Sequence, residues 1–127
     1  CVACHRIDAP TAGITYIGPE LSTIGNTLSA ERIIEEVLWP ARAVKEGFSL
    51  LQVITRDGTI HQGYEERFRA ADIFLKPLGC ADTIRIPKNQ IRAKSQAGSA
   101  MPAGLTATLK REQLRDLIRY LTEQGRQ

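Results

Sequence analysis

The chain has 127 residues, of which 43% are hydrophobic and 24% are charged, as expected for a single globular domain with a modest core. Its net charge of +3 is far below that of a dense basic surface, which argues against nucleic acid as a partner. No apolar run approaches the roughly 18 to 20 residues that span a bilayer, and no signal-peptide pattern opens the sequence, so we expect a soluble, mature or trimmed chain without a transmembrane segment.

The most informative stretch of the sequence is its first five residues, Cys1-Val2-Ala3-Cys4-His5. Two thiols at this spacing, followed directly by a histidine, form the motif for covalent haem attachment. Each thiol can form a thioether to one haem vinyl group, and the histidine is then placed beneath the iron as an axial ligand. The motif therefore predicts haem c bound through Cys1 and Cys4, with His5 on the iron.

Two other chemistries use cysteines at this spacing. A redox-active dithiol places its Cys-x-x-Cys motif after a β-strand, and nothing precedes Cys1 in this sequence. A zinc site would combine Cys1, Cys4 and either His5 or His61 with Cys80 as the fourth ligand. The dithiol alternative lacks the preceding strand, and the zinc alternative lacks a second closely spaced pair, since Cys80 stands alone. Both alternatives therefore rank below haem attachment.

A turn follows at Gly18-Pro19-Glu20-Leu21. A histidine that binds a metal needs its second ring nitrogen held by a carbonyl or carboxylate group, and a rigid Gly-Pro turn can present a fixed carbonyl for this purpose. The alternative is an ordinary turn that leads Leu21 into the core, and the sequence alone does not separate the two.

Secondary structure is predicted in three blocks. Residues 29–39 are expected to form a helix with Ser29 as N-cap, its apolar face made of Ile33, Ile34, Val37 and Leu38. The Asp57-Gly58 pair predicts a hairpin between strands at 48–55 and 59–64, and 71–76 and 83–87 are predicted as two more short strands. Residues 109–124 form the strongest amphipathic helix, which ends at Gly125.

The second axial ligand is sought in the loop before this last helix. Met101, the only methionine, lies in Ser99-Ala100-Met101-Pro102-Ala103-Gly104, after a flexible stretch predicted at 95–98. A thioether is a soft ligand suited to low-spin haem iron. Met101 is the leading candidate; the alternatives are that it only fills the core, or that His61 ligates the iron instead.

These motifs, in this order, resemble single-haem cytochrome c with His/Met ligation, and the resemblance covers essentially the whole chain. More narrowly, Trp39-Pro40-Ala41-Arg42, the Asp57-Gly58 hairpin and Ala100-Met101-Pro102 resemble a family of haem-binding domains at the ends of large secreted proteins of planctomycetes and verrucomicrobia, often fused to a propeller similar to sugar dehydrogenases. The resemblance implies a mainly α fold, namely one cytochrome c-like helical haem domain over 1–127 with a small antiparallel β-sheet inserted at about 48–92. Members of the family normally carry a helix before the first cysteine, which is expected upstream in a longer parent protein or lost by trimming.

The resemblance also implies roles for individual residues. Cys1 and Cys4 would form the thioethers, His5 and Met101 would ligate the iron, Pro19 would supply the supporting carbonyl, and Leu21 would pack against the haem. The function expected is electron transfer by one haem c rather than an enzymatic reaction, with redox proteins or a fused dehydrogenase domain as partners. The alternative is a peroxidase-like or ligand-sensing haem domain with an open or displaceable distal site.

Localisation follows from the chemistry of attachment. Because haem is joined to this motif outside the cytoplasmic membrane in the proteins that the chain resembles, we expect a periplasmic or otherwise exported protein. Cys80 would then lie in an oxidising compartment without a partner. Its apolar neighbours Leu78, Ile84 and Ile86 favour a buried, inert thiol, and the alternative is an intermolecular disulfide.

Overall fold

The structure is a computed structural model that describes residues 1–8, 15–66 and 71–126. About 25% of the residues are helical and 26% lie in strands, so the prediction of a mainly α fold is wrong. The helices are α1 (Ile24–Thr27), α2 (Ala30–Leu38) and α3 (Arg111–Glu123). The strands are β1 (Ser49–Thr55), β2 (Ile60–Glu65), β3 (Ile73–Pro77), β4 (Ile84–Ile86) and β5 (Ile91–Ser99), with a 3₁₀ helix at Lys88–Gln90 between β4 and β5.

The chain forms two compact units. The helical unit comprises Cys1–Ala43 and Met101–Gln127, and the sheet unit comprises Val44–Ala100. Among the described residues, the α-helices belong to the first unit, and the strands and the 3₁₀ helix belong to the second. None of the helices in the described part of the chain is long and apolar enough to cross a membrane.

Both predicted helices of the helical unit are confirmed, with small differences. Helix α2 begins after Ser29, whose hydroxyl accepts a hydrogen bond from the Arg32 amide, as an N-cap does. Its buried face is narrower than predicted, because Ile33 is buried whereas Ile34, one residue further around the helix, is exposed. Helix α3 ends before Gly125, which adopts a positive φ of 78°.

The core of the helical unit consists of three buried side chains, Ile33, Ile118 and Leu121, surrounded by half-buried apolar residues. It is closed by the short helix α1, which the sequence analysis missed. A Cβ atom on Gly25 would lie 2.2 Å from the carbonyl oxygen of Thr122, so only glycine permits this approach of α1 to α3. The Gly25 amide donates to the Gln124 carbonyl at 3.1 Å, which fixes the end of α3.

The sheet unit is a single antiparallel sheet with the strand order β4-β3-β2-β1-β5. The β1–β2 hairpin is confirmed, and Gly58 in its turn has a φ of +89°. The predicted strands at 71–76 and 83–87 correspond to β3 and β4. One face of the sheet carries the buried core residues Leu51, Val53, Ile73, Leu75 and Ile86.

Two expectations for the sheet unit are wrong. Residues 95–98, predicted as a flexible approach to Met101, belong to β5, which pairs with β1 although residues 92–97 are all exposed and no apolar alternation marks the strand. Cys80, predicted to be buried, is an exposed free thiol. It follows the turn at Gly79, whose φ is +72°, and its amide donates to the Pro77 carbonyl, so the chain has already left the core.

Candidate haem-binding site

The first five residues form a tight turn. The amides of Cys4 and His5 both donate to the carbonyl of Cys1, at 2.9 and 2.8 Å. Both thiols are free, with Cys1 exposed and Cys4 half-buried. One short, hydrogen-bonded segment therefore carries two free thiols and the His5 imidazole.

This segment is bound to the Gly-Pro turn by backbone hydrogen bonds on either side of His5. The Gly18 amide donates to the Cys4 carbonyl at 2.8 Å, and the Leu21 amide donates to the Arg6 carbonyl at 2.9 Å. These two bonds hold the residues before and after His5 against the turn. The position of the imidazole is thus set by its own backbone as well as by its side-chain contacts.

The imidazole itself is oriented by Pro19. Nδ1 of His5 lies 2.7 Å from the carbonyl oxygen of Pro19. A carbonyl oxygen can only accept, so Nδ1 is the donor in this contact, and in the neutral imidazole this tautomer has its lone pair on Nε2, where a metal ion could bind. This is the arrangement that a metal-ligating histidine requires of its second ring nitrogen.

Gly18 also lies close to the imidazole ring of His5. A Cβ atom at this position would lie 2.3 Å from Cε1, 2.6 Å from Nδ1 and 2.8 Å from Nε2 of His5. Any side chain would therefore push the imidazole away from the turn. Sequence analysis proposed the carbonyl of Pro19 but missed this role of Gly18, and the signal available was a glycine directly before the proline.

A small polar network stabilises the same turn. Arg6 and Glu20 approach at 4.0 Å, and both side chains are about one-third exposed. The Glu20 carboxylate accepts a hydrogen bond from the Ser22 amide at 2.5 Å, and the Ser22 hydroxyl accepts one from the Asp8 amide at 2.7 Å. The charges next to His5 thus compensate one another, and the network fixes the two segments that meet at the imidazole.

Leu21 and Met101 lie in the same unit as His5. Leu21 is half-buried and packs against the helical core, close in sequence to the turn that holds the imidazole. Met101 is half-buried in the loop that leads to α3. Two successive turns follow Met101. In these turns the Ala107 amide donates to the Gly104 carbonyl and the Leu109 amide donates to the Thr106 carbonyl, each at 3.0 Å.

The rival ligands belong to the other unit. His61 is the second residue of β2, opposite Val53, and Cys80 follows β3, so both are part of the sheet unit. Within residues 1–8, 15–66 and 71–126, no three His, Cys, Asp or Glu side chains are grouped as a metal site would group them. Cys1, Cys4 and His5 share one hydrogen-bonded backbone turn, which places them on the same short segment.

These donors fit haem c in their chemistry. Covalent attachment needs two free thiols beside a histidine that can ligate iron through Nε2. Cys1 and Cys4 are free thiols, and the contact of His5 Nδ1 with the Pro19 carbonyl is compatible with ligation through Nε2. A haem also needs apolar surface, and the exposed side chains of the helical unit include Val2 at 75%, Leu105 at 57% and Leu109 at 37%. Met101, the one methionine of the sequence, belongs to this unit as well.

Comparison with known protein families gave no matching family model, and comparison with curated proteins gave no match either.

Proposed function

We propose that the chain binds one haem c through thioethers to Cys1 and Cys4 and serves as an electron-transfer protein or domain. The observation that supports this proposal most strongly is the hydrogen bond between Nδ1 of His5 and the Pro19 carbonyl. An ordinary surface histidine needs no such bond, and here two backbone hydrogen bonds and a glycine without a side chain maintain it. The whole turn is built around the orientation of one imidazole.

In this proposal the protein residues supply ligation, orientation and environment. When bound, haem c supplies an iron that cycles between the ferrous and ferric states. His5, through Nε2, and Met101, through its sulfur, would ligate the iron. A thioether is a soft donor that favours ferrous iron, and two protein ligands leave no position for oxygen or peroxide. This set of ligands supports electron transfer rather than catalysis.

The partners and the location follow from the same chemistry. Covalent attachment to Cys-x-x-Cys-His takes place outside the cytoplasmic membrane in cytochromes c, which the chain resembles, so we propose a periplasmic or otherwise exported protein. Its partners would be redox proteins that bind weakly and transiently, or a dehydrogenase domain of the same parent chain.

The role of Gly18 provides a test that depends on the observed geometry. In Gly18→Ala, the new methyl group must displace His5, so the haem-loaded variant should show a weakened proximal bond, seen as a fraction of high-spin iron in the absorption spectrum. Glu112→Ala is the control, since it also introduces an alanine into the helical unit but at an exposed position of α3, away from the His5 turn and the Met101 loop. Equal spectra for the two variants would contradict the role assigned to His5.

The distal ligand is tested by Met101 variants of the haem-loaded chain. Met101→His should remain six-coordinate and low-spin with a lower midpoint potential, because an imidazole favours ferric iron more than a thioether does. Met101→Ala should lose the near-infrared sulfur-to-iron band and gain cyanide or carbon monoxide binding. If Met101→Ala keeps the band and potential of the wild type, Met101 is not the ligand. If the wild-type iron already binds these ligands readily, the peroxidase-like or ligand-sensing alternative replaces electron transfer.

A further inference from the structure

The charge of the chain is divided unevenly between its two units. Residues 44–100 contain nine Lys and Arg and six Asp and Glu, whereas the rest of the chain contains eight of each. The net charge of +3 therefore belongs entirely to the sheet unit, which takes no part in the proposed haem site. Two of the nine basic residues of the sheet unit, Arg67 and Arg69, lie outside the described residues, and the structure describes the other seven.

Four of its basic residues lie in or beside β5, and we call them the basic edge: Arg56, Lys88, Arg92 and Lys94. None of the four side chains forms an ion pair with a carboxylate of the described residues. Arg56 instead donates through Nε to the carbonyl of Asn89, at 2.8 Å, so its charge lies next to the 3₁₀ helix.

Two carboxylates that lie next to residues of the basic edge are already engaged: Asp57, which directly follows Arg56, and Asp72, which is hydrogen-bonded to the Lys88 amide. Asp72 pairs with Arg85 and accepts a hydrogen bond from the Lys88 amide at 3.1 Å. Asp57 accepts hydrogen bonds from the Thr55 hydroxyl and the Thr59 amide in the hairpin turn. The positive charge of the basic edge is therefore left for an external group.

Strand β5 is also an open edge of the sheet. It pairs with β1 on one side, and no strand of the described residues lies on its other side. Ala93–Gln96 pair one for one with Leu51–Ile54, between two bulges in the register. An edge strand presents unpaired backbone N–H and C=O groups, so this straight segment can accept a further strand.

Lysine on an edge strand normally opposes pairing with another chain. The basic residues of β5 would oppose pairing with a basic strand. They would also oppose pairing with a second copy of this chain, because two β5 strands side by side would bring the basic residues of both together. An acidic strand would not be opposed, because its carboxylates would neutralise Lys94 and Arg92. The same residues that exclude other strands therefore select this one.

We propose that the outer edge of β5 binds an extended, acidic segment of a partner protein by strand addition. Backbone hydrogen bonds to residues 93–96 would supply the pairing, and the basic edge would supply the selectivity. The inference does not rest on the haem site, since none of these residues belongs to the helical unit.

The test uses the full chain labelled with ¹⁵N and a capped peptide of alternating Glu with Thr or Val, equal in length to the nine residues of β5. The expected result is saturable chemical-shift changes centred on the amides of β5, with affinity that falls at least tenfold between about 0.05 and 0.5 M salt. A peptide of the same charge with alternate Thr and Val replaced by Pro should bind at least tenfold more weakly, because it cannot form a strand.

Charge-reversal variants complete the design. Arg92→Glu/Lys94→Glu should weaken binding at least tenfold, whereas Arg115→Glu/Arg119→Glu, which changes the net charge equally on the exposed side of α3, should leave it within about twofold. Equal binding of the proline peptide would overturn strand addition. Shift changes away from β5, no binding at millimolar peptide, or self-association of the chain through β5 would each overturn the proposal.

Discussion

The two units of the chain differ in how completely they bury their own apolar residues. The sheet unit has a continuous core in which Val53 and Leu75 have no exposed surface. The helical unit has three buried core residues, and the apolar side chains around them are only half-buried. Among the described residues seven large hydrophobic or aromatic side chains are exposed, and six of these belong to the helical unit: Val2, Ile34, Trp39, Leu105, Leu109 and Tyr120.

This difference shows how each unit gains its stability. Burial of apolar surface is worth about 25 cal/mol per Å², so the sheet unit obtains most of the available stabilisation from its own side chains. The helical unit leaves more of its apolar surface in contact with water. Under the proposed function, haem supplies the apolar surface that these side chains bury, and the helical unit depends on its cofactor while the sheet unit does not.

The largest expected effect comes from preventing haem attachment. In Cys1→Ala/Cys4→Ala, amides of α2 and α3 should lose most of their protection against hydrogen exchange, because their packing partner is no longer held. Amides of β1 and β2 should keep theirs. The control is Cys80→Ala, which changes an exposed thiol of the sheet unit and should leave both units protected. Equal protection of α3 with and without haem would refute the dependence on the cofactor.

Two glycines, one in each unit, allow the stability of each unit to be tested by the same substitution. A Cβ on Gly25 would lie 2.2 Å from the Thr122 carbonyl oxygen, and a Cβ on Gly63 would lie 2.2 Å from the Lys76 carbonyl oxygen. Each substitution by Ala should destabilise its unit by about 3 kcal/mol, since backbone must move to relieve the overlap.

Each of these two substitutions should destabilise only its own unit. Hydrogen exchange should accelerate in α3 for Gly25→Ala and in β2 and β3 for Gly63→Ala, with little effect on the other unit. If either substitution accelerated exchange equally throughout the chain, the two units would unfold together and the comparison would fail.

The smallest effect concerns pH and the hairpin turn. Hydrogen bonds from Thr55 and Thr59 lower the pKa of Asp57 from its usual 3.8 to about 2. A lowered folded-state pKa means that the carboxylate stabilises the sheet unit at pH values above its ordinary pKa and loses this contribution as the pH falls towards 2. Urea unfolding of Asp57→Asn should therefore differ from wild type at pH 6, and the difference should shrink as the pH falls to about 2.

Much of the fold was predictable where a pattern is local. The cap at Ser29, the Asp57-Gly58 turn and the period of α3 are each contained in a few neighbouring residues, and the structure confirms them. Strand β5 was not predictable in this way, because its pairing with β1 comes from residues about forty positions earlier rather than from its own side chains. The prediction of a mainly α fold was wrong because it relied on the resemblance and underestimated the sheet.

The candidate site, like the fold, was predictable only where the pattern is local in sequence. The cysteine and histidine spacing predicts the haem-binding residues, which stays a prediction, and the Gly-Pro turn indicated a carbonyl that lies 2.7 Å from Nδ1 of His5. The close approaches of Gly18 to the His5 ring and of α1 to α3 could be seen only in the structure. The residues that flank a glycine in sequence do not indicate which distant atom packs against it. The roles of these residues towards haem stay predictions.

The central claim is tested most directly by asking whether haem is covalently bound. The chain, produced in a host with haem-maturation machinery, should be red and should gain the mass of one haem. It should keep its colour in denaturant and under extraction with acidified organic solvent, because two thioethers hold the porphyrin. Transfer of all colour to the organic phase, or an unaltered mass, would contradict the account.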